Sequence, residues 1–381
     1  MILPPATLGL LGGGQLGRYF VIAAHELGYR VIVLDPDPDC VAGRIADEHV
    51  AASYDDQAAL DHLANRCAAV TTEFESVPAQ ALSYLARHIP VRPSPEAVAI
   101  CQNRGDEKAF LKSRGFPHVP YASICGEEDA MSAPTDLFPG ILKVARFGYD
   151  GKGQARVKGK DDALSAFRQF GGEPCVLERE ISLECEVSLV LARDEGGKVE
   201  CFPMAFNHHR QGILDHSFIP ARGVTGRLAD MARGVAHDIA AGMDYVGTLT
   251  VEFFVVEGEL LVNELAPRPH NSGHYTLDAC ITNQYEQQVR ALCGLPLGDA
   301  GHHSAAMMVN LLGDLWYPGG ARCAREPDWH KLQSVSHLKL HLYGKHCVRP
   351  GRKMGHFTVL GEDSEIVREK AMAARTAIGI C

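Results

Sequence analysis

Between Thr248 and His274 the chain reads TLTVEFFVVEGELLVNELAPRPHNSGH. Two apolar runs rich in Val and Phe flank a glycine-containing turn, a pattern whose short-range solution is an antiparallel hairpin. In that pairing Glu252 and Glu264, on successive strands, project together from one face. Two carboxylates held side by side repel unless a cation lies between them, and hard oxygen ligands of this kind suit Mg2+ bound with nucleotide phosphates. Asn263 adds a neutral oxygen beside them, and the loop that follows carries Arg268, His270 and Asn271. The competing reading is a pair of glutamates on a solvated sheet face.

A second constraint lies upstream. RFGYDGKGQARV, residues 146 to 157, follows the apolar run ILKVA and sets three glycines around a lysine. A hairpin turn needs one glycine to reach positive φ. Three glycines suit a loop whose backbone N–H groups approach an anion. The spacing is not that of a P-loop, so the segment reads as a phosphate-covering flap, with Lys143 on the preceding strand. An exposed hairpin with a solvated lysine is the alternative.

The first hundred residues alternate strand and helix: ATLGLLG, LGRYFVIAAHELG, YRVIVLD, QAALDHLANRC, AAVTTEFE. Such alternation means a parallel sheet. Gly12-x-Gly14-x-x-Gly17 sits between the first strand and helix, and Asp35 ends the next strand, as a dinucleotide-binding fold would have them. A tight strand-to-helix turn without ligand accounts for the motif equally well. In TTEFESVP, strand alternation points Glu73 and Glu75 to one face, either around an amine-bearing ligand or toward solvent. KHCVRPGRKMGH gathers Lys345, Arg349, Arg352 and Lys353, a pocket for a phosphomonoester or an ordinary solvated loop.

At 381 residues the chain exceeds one ordinary core. We expect an N-terminal unit over 1–104, a central unit over 105–295 with its flap about 143–185, and a C-terminal lobe over 296–381. The net charge of −10 speaks against nucleic acid as a main partner. Twelve cysteines without a C-x-x-C spacing speak against a zinc site of that type and for a reduced, cytoplasmic protein. No basic leader segment and no apolar run of membrane-spanning length is seen.

Taken in order, GGGQLGR, TEFE, GYDGKGQ, VLEREISLECEVS, VEFFV with VNELAPRPHNSGH, and RPGRKMGH resemble the biotin-independent ATP-grasp ligases of purine synthesis over nearly the whole chain. The resemblance implies an ATP-grasp fold of α/β and α+β class: an N-terminal parallel, Rossmann-like domain, a central ATP-grasp domain and a small C-terminal lobe. It implies ATP contacts from Arg104, Lys143, the flap residues Gly148, Tyr149, Asp150, Gly151, Lys152, Gly153 and Gln154, then Glu178, Arg179, Glu180, Ile181, Glu186 and His209, with Asn263 and Glu264. Glu252 and Glu264 would hold Mg2+. Gln15, Leu16, Glu73, Asn271, Lys345, Arg352 and Lys353 match positions that face a ribonucleotide substrate. Tyr149, Asp150, Arg268, His270 and Lys345 match the reacting centre.

The implied activity is ATP- and bicarbonate-dependent carboxylation of 5-aminoimidazole ribonucleotide through carboxyphosphate, with release of ADP and phosphate. A homodimer is expected, with small-molecule substrates and neither nucleic acid nor membrane as partner. Lys152 stands where the family often has Arg, and EREI replaces a more usual glycine-containing segment. The formate-dependent glycinamide ribonucleotide transformylases of the same superfamily carry Glu at the position of Gln15 and lack the Tyr149–Asp150 pair. A nicotinamide-dependent oxidoreductase built on Gly12–Gly17 would leave the Glu252/Glu264 pair and the basic cluster without work, and a non-catalytic nucleotide-binding regulator would not need every charged group present.

Overall fold

Near-continuous apolar runs dictate the first layer. β1 (Thr7–Leu11), β2 (Arg30–Leu34), β3 (Glu48–Val50) and β4 (Ala69–Thr72) pair in parallel in the order β3-β2-β1-β4. Parallel strands of this kind are covered on both faces. Leu8, Leu10, Val31 and Val33 pack on Tyr19, Phe20 and Val21 of the helix Gln15–Glu26. Leu11, Ile32, Leu34 and Val70 pack on Leu60, Leu63, Leu82 and Leu85 on the other side. Each such side chain withdrawn from water contributes about 1.5–3 kcal/mol before conformational entropy is subtracted. The structure, a computed structural model, describes residues 1–146, 148, 153–221 and 223–380.

The second layer is a small antiparallel sheet. β5 (Tyr121–Ile124), β6 (Gly140–Val144), β7 (Gln154–Val157) and β8 (Cys175–Arg179) run in the order β5-β8-β6-β7. Ile124, Leu142, Val157 and Leu177 close a core against Ala163, Ala166 and Phe167 of the helix Lys160–Gln169. The glycine-rich segment joins β6 to β7. Its Tyr149, Asp150, Gly151 and Lys152 lie outside the described residues.

The remaining strands form one large antiparallel sheet. They are β9 (Cys185–Arg193), β10 (Val199–Cys201), β11 (Ala205–Arg210), β12 (Ile213–Ile219), β13 (Gly247–Val256), β14 (Glu259–Ala266), β15 (Ala305–Leu312), β16 (Leu338–Leu342) and β17 (Lys353–Gly361). The order is β14-β13-β9-β11-β12-β15-β17-β16, with β10 on β9. Strands from residues 305–361 therefore continue the sheet of the central unit, because β15 pairs with β12. Two of these strands escape a reading of the sequence. ILDHSFI (β12) breaks its apolar run with Asp215 and His216, and β17 begins inside the basic cluster.

At one edge of this sheet β14 lies beside the helix Arg104–Ser113, whose Asn103 cap accepts the Gly105 N–H and whose first turn holds Asp106 and Glu107. Among the described residues no helix is long and apolar enough to cross a membrane.

Candidate active site

The β13–β14 hairpin sets Glu252 directly opposite Glu264, as expected. The next pair is Phe253 with Val262, so Asn263 is the extra residue of a bulge. Glu264 is also 3.2 Å from Arg104 Nη1, and Glu252 Oε1 is 3.5 Å from His270 Nε2. Burial pushes the Glu252 carboxyl up against the pull of His209, and the neighbouring Glu264 and Glu186 carboxylates add to the rise. Two hard anionic oxygen groups that destabilise each other's charge fit a divalent cation.

The hairpin lines a cavity of about 700 Å³. Arg104, Lys143, Gly148, Gln154, Glu186, His209, Asn263, Arg268, His270, Asn271 and Lys353 join the two glutamates in its wall. Arg179, Glu180 and Ile181, at and after the end of β8, are not among its lining residues; Glu180 instead meets Arg156 at 3.4 Å. Lys143 reaches the cavity from β6 but is tied by its Nζ to Glu178 Oε2 at 2.7 Å. Burial would raise the Glu178 carboxyl, yet Lys143 and Lys108 outweigh it and hold it at about 2. His209 pairs through Nδ1 with Glu186 at 2.6 Å. Asn271 is buried with both amide atoms unpartnered, the arrangement of a side chain that awaits a ligand. Its loop is anchored by the Ser188–Ser272 hydroxyl contact at 2.8 Å.

Glu73 and Glu75 part company. β4 ends at Thr72, so the alternation that would place them on one face stops before them. The Glu73 carboxylate accepts the N–H of Gly14 and, at 2.7 Å, that of Gly17. The Gly13 N–H goes to Asp35 Oδ2 at 2.7 Å. The N-terminus of the helix Gln15–Glu26 is thus occupied by the chain's own carboxylates, where a dinucleotide would need it open. A Cβ at Gly14 would sit 2.4 Å from Glu73 Oε1 and would have to displace the capping carboxylate. Glu75 pairs instead with Arg268 Nε, and both line the same cavity as Glu252 and Glu264. Its place in TEFE was the only signal in the sequence.

The basic segment comes to the N-terminal layer. Lys345 Nζ donates to Gln15 Oε1 at 2.6 Å and to the Lys353 carbonyl at 2.8 Å. Burial, then Arg352, bring the Lys345 ammonium down to about 7 although Glu73 pulls the other way. The Leu16 side chain is buried in the N-terminal core, so only its backbone is available to a ligand. Behind Lys345, three imidazoles stack: His274 on His356 and His356 on His341, both at 4.5 Å between centroids. Tyr285 and Tyr343 hydroxyls meet Nδ1 of His274 and His356. His341 meets Asp278 at 2.8 Å.

Three family models match in succession: a ribonucleotide synthetase preATP-grasp domain over 5–102, an ATP-grasp domain over 109–285 and a phosphoribosylaminoimidazole carboxylase C-terminal domain over 306–370. The chain is 42% identical over 362 residues to the N5-carboxyaminoimidazole ribonucleotide synthase of Brucella melitensis, covering 93% of this chain and 96% of that one. It is 40% identical over 370 residues to the enzyme of the same name from Bacillus subtilis, covering 96% and 94%. Among solved structures, an ADP complex of N5-carboxyaminoimidazole ribonucleotide synthetase superposes with a TM-score of 0.91 at 39% identity, over 98% of this chain and 97% of that one. The Aspergillus clavatus synthase in complex with ADP and 5-aminoimidazole ribonucleotide gives 0.88 at 28% identity, over 98% of each chain.

Proposed function

This chain belongs to the N5-carboxyaminoimidazole ribonucleotide synthase family, and from that premise we propose how its cleft works. It is an ATP-dependent carbon–nitrogen ligase of purine biosynthesis that carboxylates 5-aminoimidazole ribonucleotide. The observation that carries the mechanism is the facing pair Glu252 and Glu264 in one cavity with Lys143, Arg268 and His270.

Bicarbonate is the carboxyl donor in this reading. Its own negative charge deactivates its carbon, so it is activated by phosphorylation. A bicarbonate oxygen attacks the γ-phosphorus of ATP, the bond to the β,γ-bridging oxygen breaks, and ADP leaves. Carboxyphosphate then breaks its C–O bond to give CO2 and phosphate, and the exocyclic amine of the imidazole attacks CO2. In phosphoryl transfer the protein mainly positions groups and neutralises charge. Lys143 stands beside the phosphates, and ATP loosens its pairing with Glu178. Arg268, aligned by Glu75, faces the bicarbonate with His270, whose ring burial holds neutral, well below its ordinary value. Glu252 and Glu264 would hold Mg2+, which would supply charge neutralisation at the phosphates. Lys345, at about 7, takes up the proton lost by the amine, while Asn271, Arg352 and Lys353 face the ribonucleotide. The family resemblance assigns Tyr149 and Asp150 to the same reaction, and exclusion of water there would protect the intermediate from hydrolysis. The enzyme works as a cytoplasmic homodimer.

ADP release with Mg-ATP and 5-aminoimidazole ribonucleotide, with bicarbonate present or stripped out, tests the reading. Dependence on both substrates supports it. Turnover only with formate and glycinamide ribonucleotide would overturn the substrate assignment and leave the fold intact.

A further inference from the structure

The strand that carries Glu264 is held from outside the sheet. β14 is an edge strand, so its outward backbone groups need partners from another element. The bulge takes Asn263 out of the ladder, and its carbonyl accepts a hydrogen bond from Lys108 Nζ at 2.9 Å. Two residues later the Leu265 N–H donates to Glu107 Oε2 at 2.9 Å. One turn earlier on the same helix, Arg104 meets the Glu264 carboxylate itself at 3.2 Å. Three residues of the helix Arg104–Ser113 therefore grip position 264 before it, after it and at its side chain.

These grips use ionisable groups where apolar ones would cover a strand edge, and burial raises the Glu107 carboxyl to about 8. Lys108 is 0% exposed and Glu107 2%. Burying ionisable side chains costs several kcal/mol unless hydrogen bonds and partners offset it. Lys108 has a second attachment: its Nζ is 3.5 Å from Glu178 Oε1, whose other oxygen holds Lys143. One ammonium thus spans from the strand of Glu264 to the carboxylate that orients Lys143. Glu107 also lines, with Arg104 and Glu264, a cavity of about 50 Å³, room for a few waters.

We infer that Glu107 and Lys108 are positioning residues that fix the Glu264 carboxylate relative to Lys143 and so set how tightly the enzyme holds its divalent cation. The inference rests on Glu264 being a ligand of that cation. Neither residue lines the large cavity; each acts through the backbone on one side of Glu264.

Mn2+ binding to the full chain in the presence of ADP, followed by the electron paramagnetic resonance of free Mn2+, tests this apart from turnover. Glu107→Leu and Lys108→Met are expected to weaken Mn2+ binding about 10–100-fold, the usual effect of losing a partner that orients a metal ligand. Their KM for 5-aminoimidazole ribonucleotide stays near that of the parent enzyme, while each melts a few degrees lower because a buried group loses its partner. Glu107→Gln keeps an acceptor for the Leu265 N–H and restores Mn2+ affinity. Unchanged Mn2+ affinity in folded Glu107→Leu and Lys108→Met overturns the inference. Should either fail to fold, Lys108→Gln and Glu107→Gln decide: if they bind Mn2+ alike, with Lys108→Gln unweakened, the positioning role is wrong. Glu264→Gln, run alongside, separates the premise, since unchanged Mn2+ affinity there removes Glu264 from the metal site.

Discussion

Lys345 and Gln15 stand 330 positions apart in the chain and 2.6 Å apart in space. This contact joins the basic segment to the first glycine-rich turn, and it holds an amine whose proton affinity burial has lowered to about 7. A lysine in that range changes charge near neutral pH, which suits a group that accepts a proton during turnover.

The rate should follow that titration. If the neutral amine is the working form, kcat/KM rises with pH through about 7 and then levels. Lys345→Gln should lose about 10²–10⁴-fold in kcat and flatten the acid limb. A pH profile of each enzyme between about 5.5 and 8.5 checks both, and a limb that survives in Lys345→Gln would assign it to another group.

Removing the metal should silence the enzyme. Chelation is expected to abolish ADP release stimulated by 5-aminoimidazole ribonucleotide, and added Mg2+ to restore it. Glu252→Gln and Glu264→Gln should each lower kcat by at least about 10²-fold, because charge neutralisation by a bound ion is worth several kcal/mol in phosphoryl transfer. Titration of turnover against Mg2+ gives the answer.

Glu73 should prove costly to remove even where no substrate is present. Glu73→Ala leaves the Gly14 and Gly17 N–H groups without acceptors in a partly buried site, a loss of up to about 1–3 kcal/mol each. Gly14→Ala drives a methyl group into the same carboxylate. Both variants are expected to melt several degrees lower than the parent, since about 1 kcal/mol shifts Tm by a few degrees in chains of this size. Differential scanning calorimetry without ligand would expose an unchanged Tm.

Acid should loosen the imidazole stack. Burial, then neighbouring positive partners, hold the His274 and His356 imidazoles well below their ordinary value. Around them lie Tyr19, Tyr285, Tyr343, His341, Asp278 and Lys345. In the unfolded chain both rings take up protons near the usual histidine value of about 6.5. Below that pH the unfolded state binds more protons, so the stability contribution is complete above it and falls as pH drops. Each ring adds up to about 1.4 kcal/mol per pH unit to the decline. Tm measured between about pH 7.5 and 5.5 should fall less steeply in His356→Gln than in the parent; equal slopes would count against the stack as the source.

Much of the site was legible because local rules govern it. Glu252 and Glu264 follow from hairpin pairing alone, and Arg268, His270 and Asn271 follow from the loop attached to it. The parallel N-terminal sheet follows from strand–helix alternation. Long-range choices were not legible. Nothing local says that Glu73 turns toward Gly14 and Gly17 while Glu75 turns to Arg268, because β4 stops at Thr72, before either of them. Lys108 reads as an ordinary helical surface lysine until the bulge at Asn263 gives its ammonium a carbonyl to meet. β12 was hidden by Asp215, whose carboxylate meets Arg375 of the helix Ser364–Ile378 at 3.0 Å and the neighbouring His216 at 3.0 Å.

The continuity of the large sheet bears on how such an enzyme can be recombined. Because β15 is laced to β12 residue by residue, from Val309 against His216 to Ala306 against Ile219, the segment after residue 296 is not a module hung on a linker. A chimera that exchanges it between relatives must reproduce that ladder register, along with the Asp215–Arg375 pair. Crossovers placed in the loop after Cys293 part β12 from β15 and Asp215 from Arg375, so they should succeed only between relatives that share both the register and the pair.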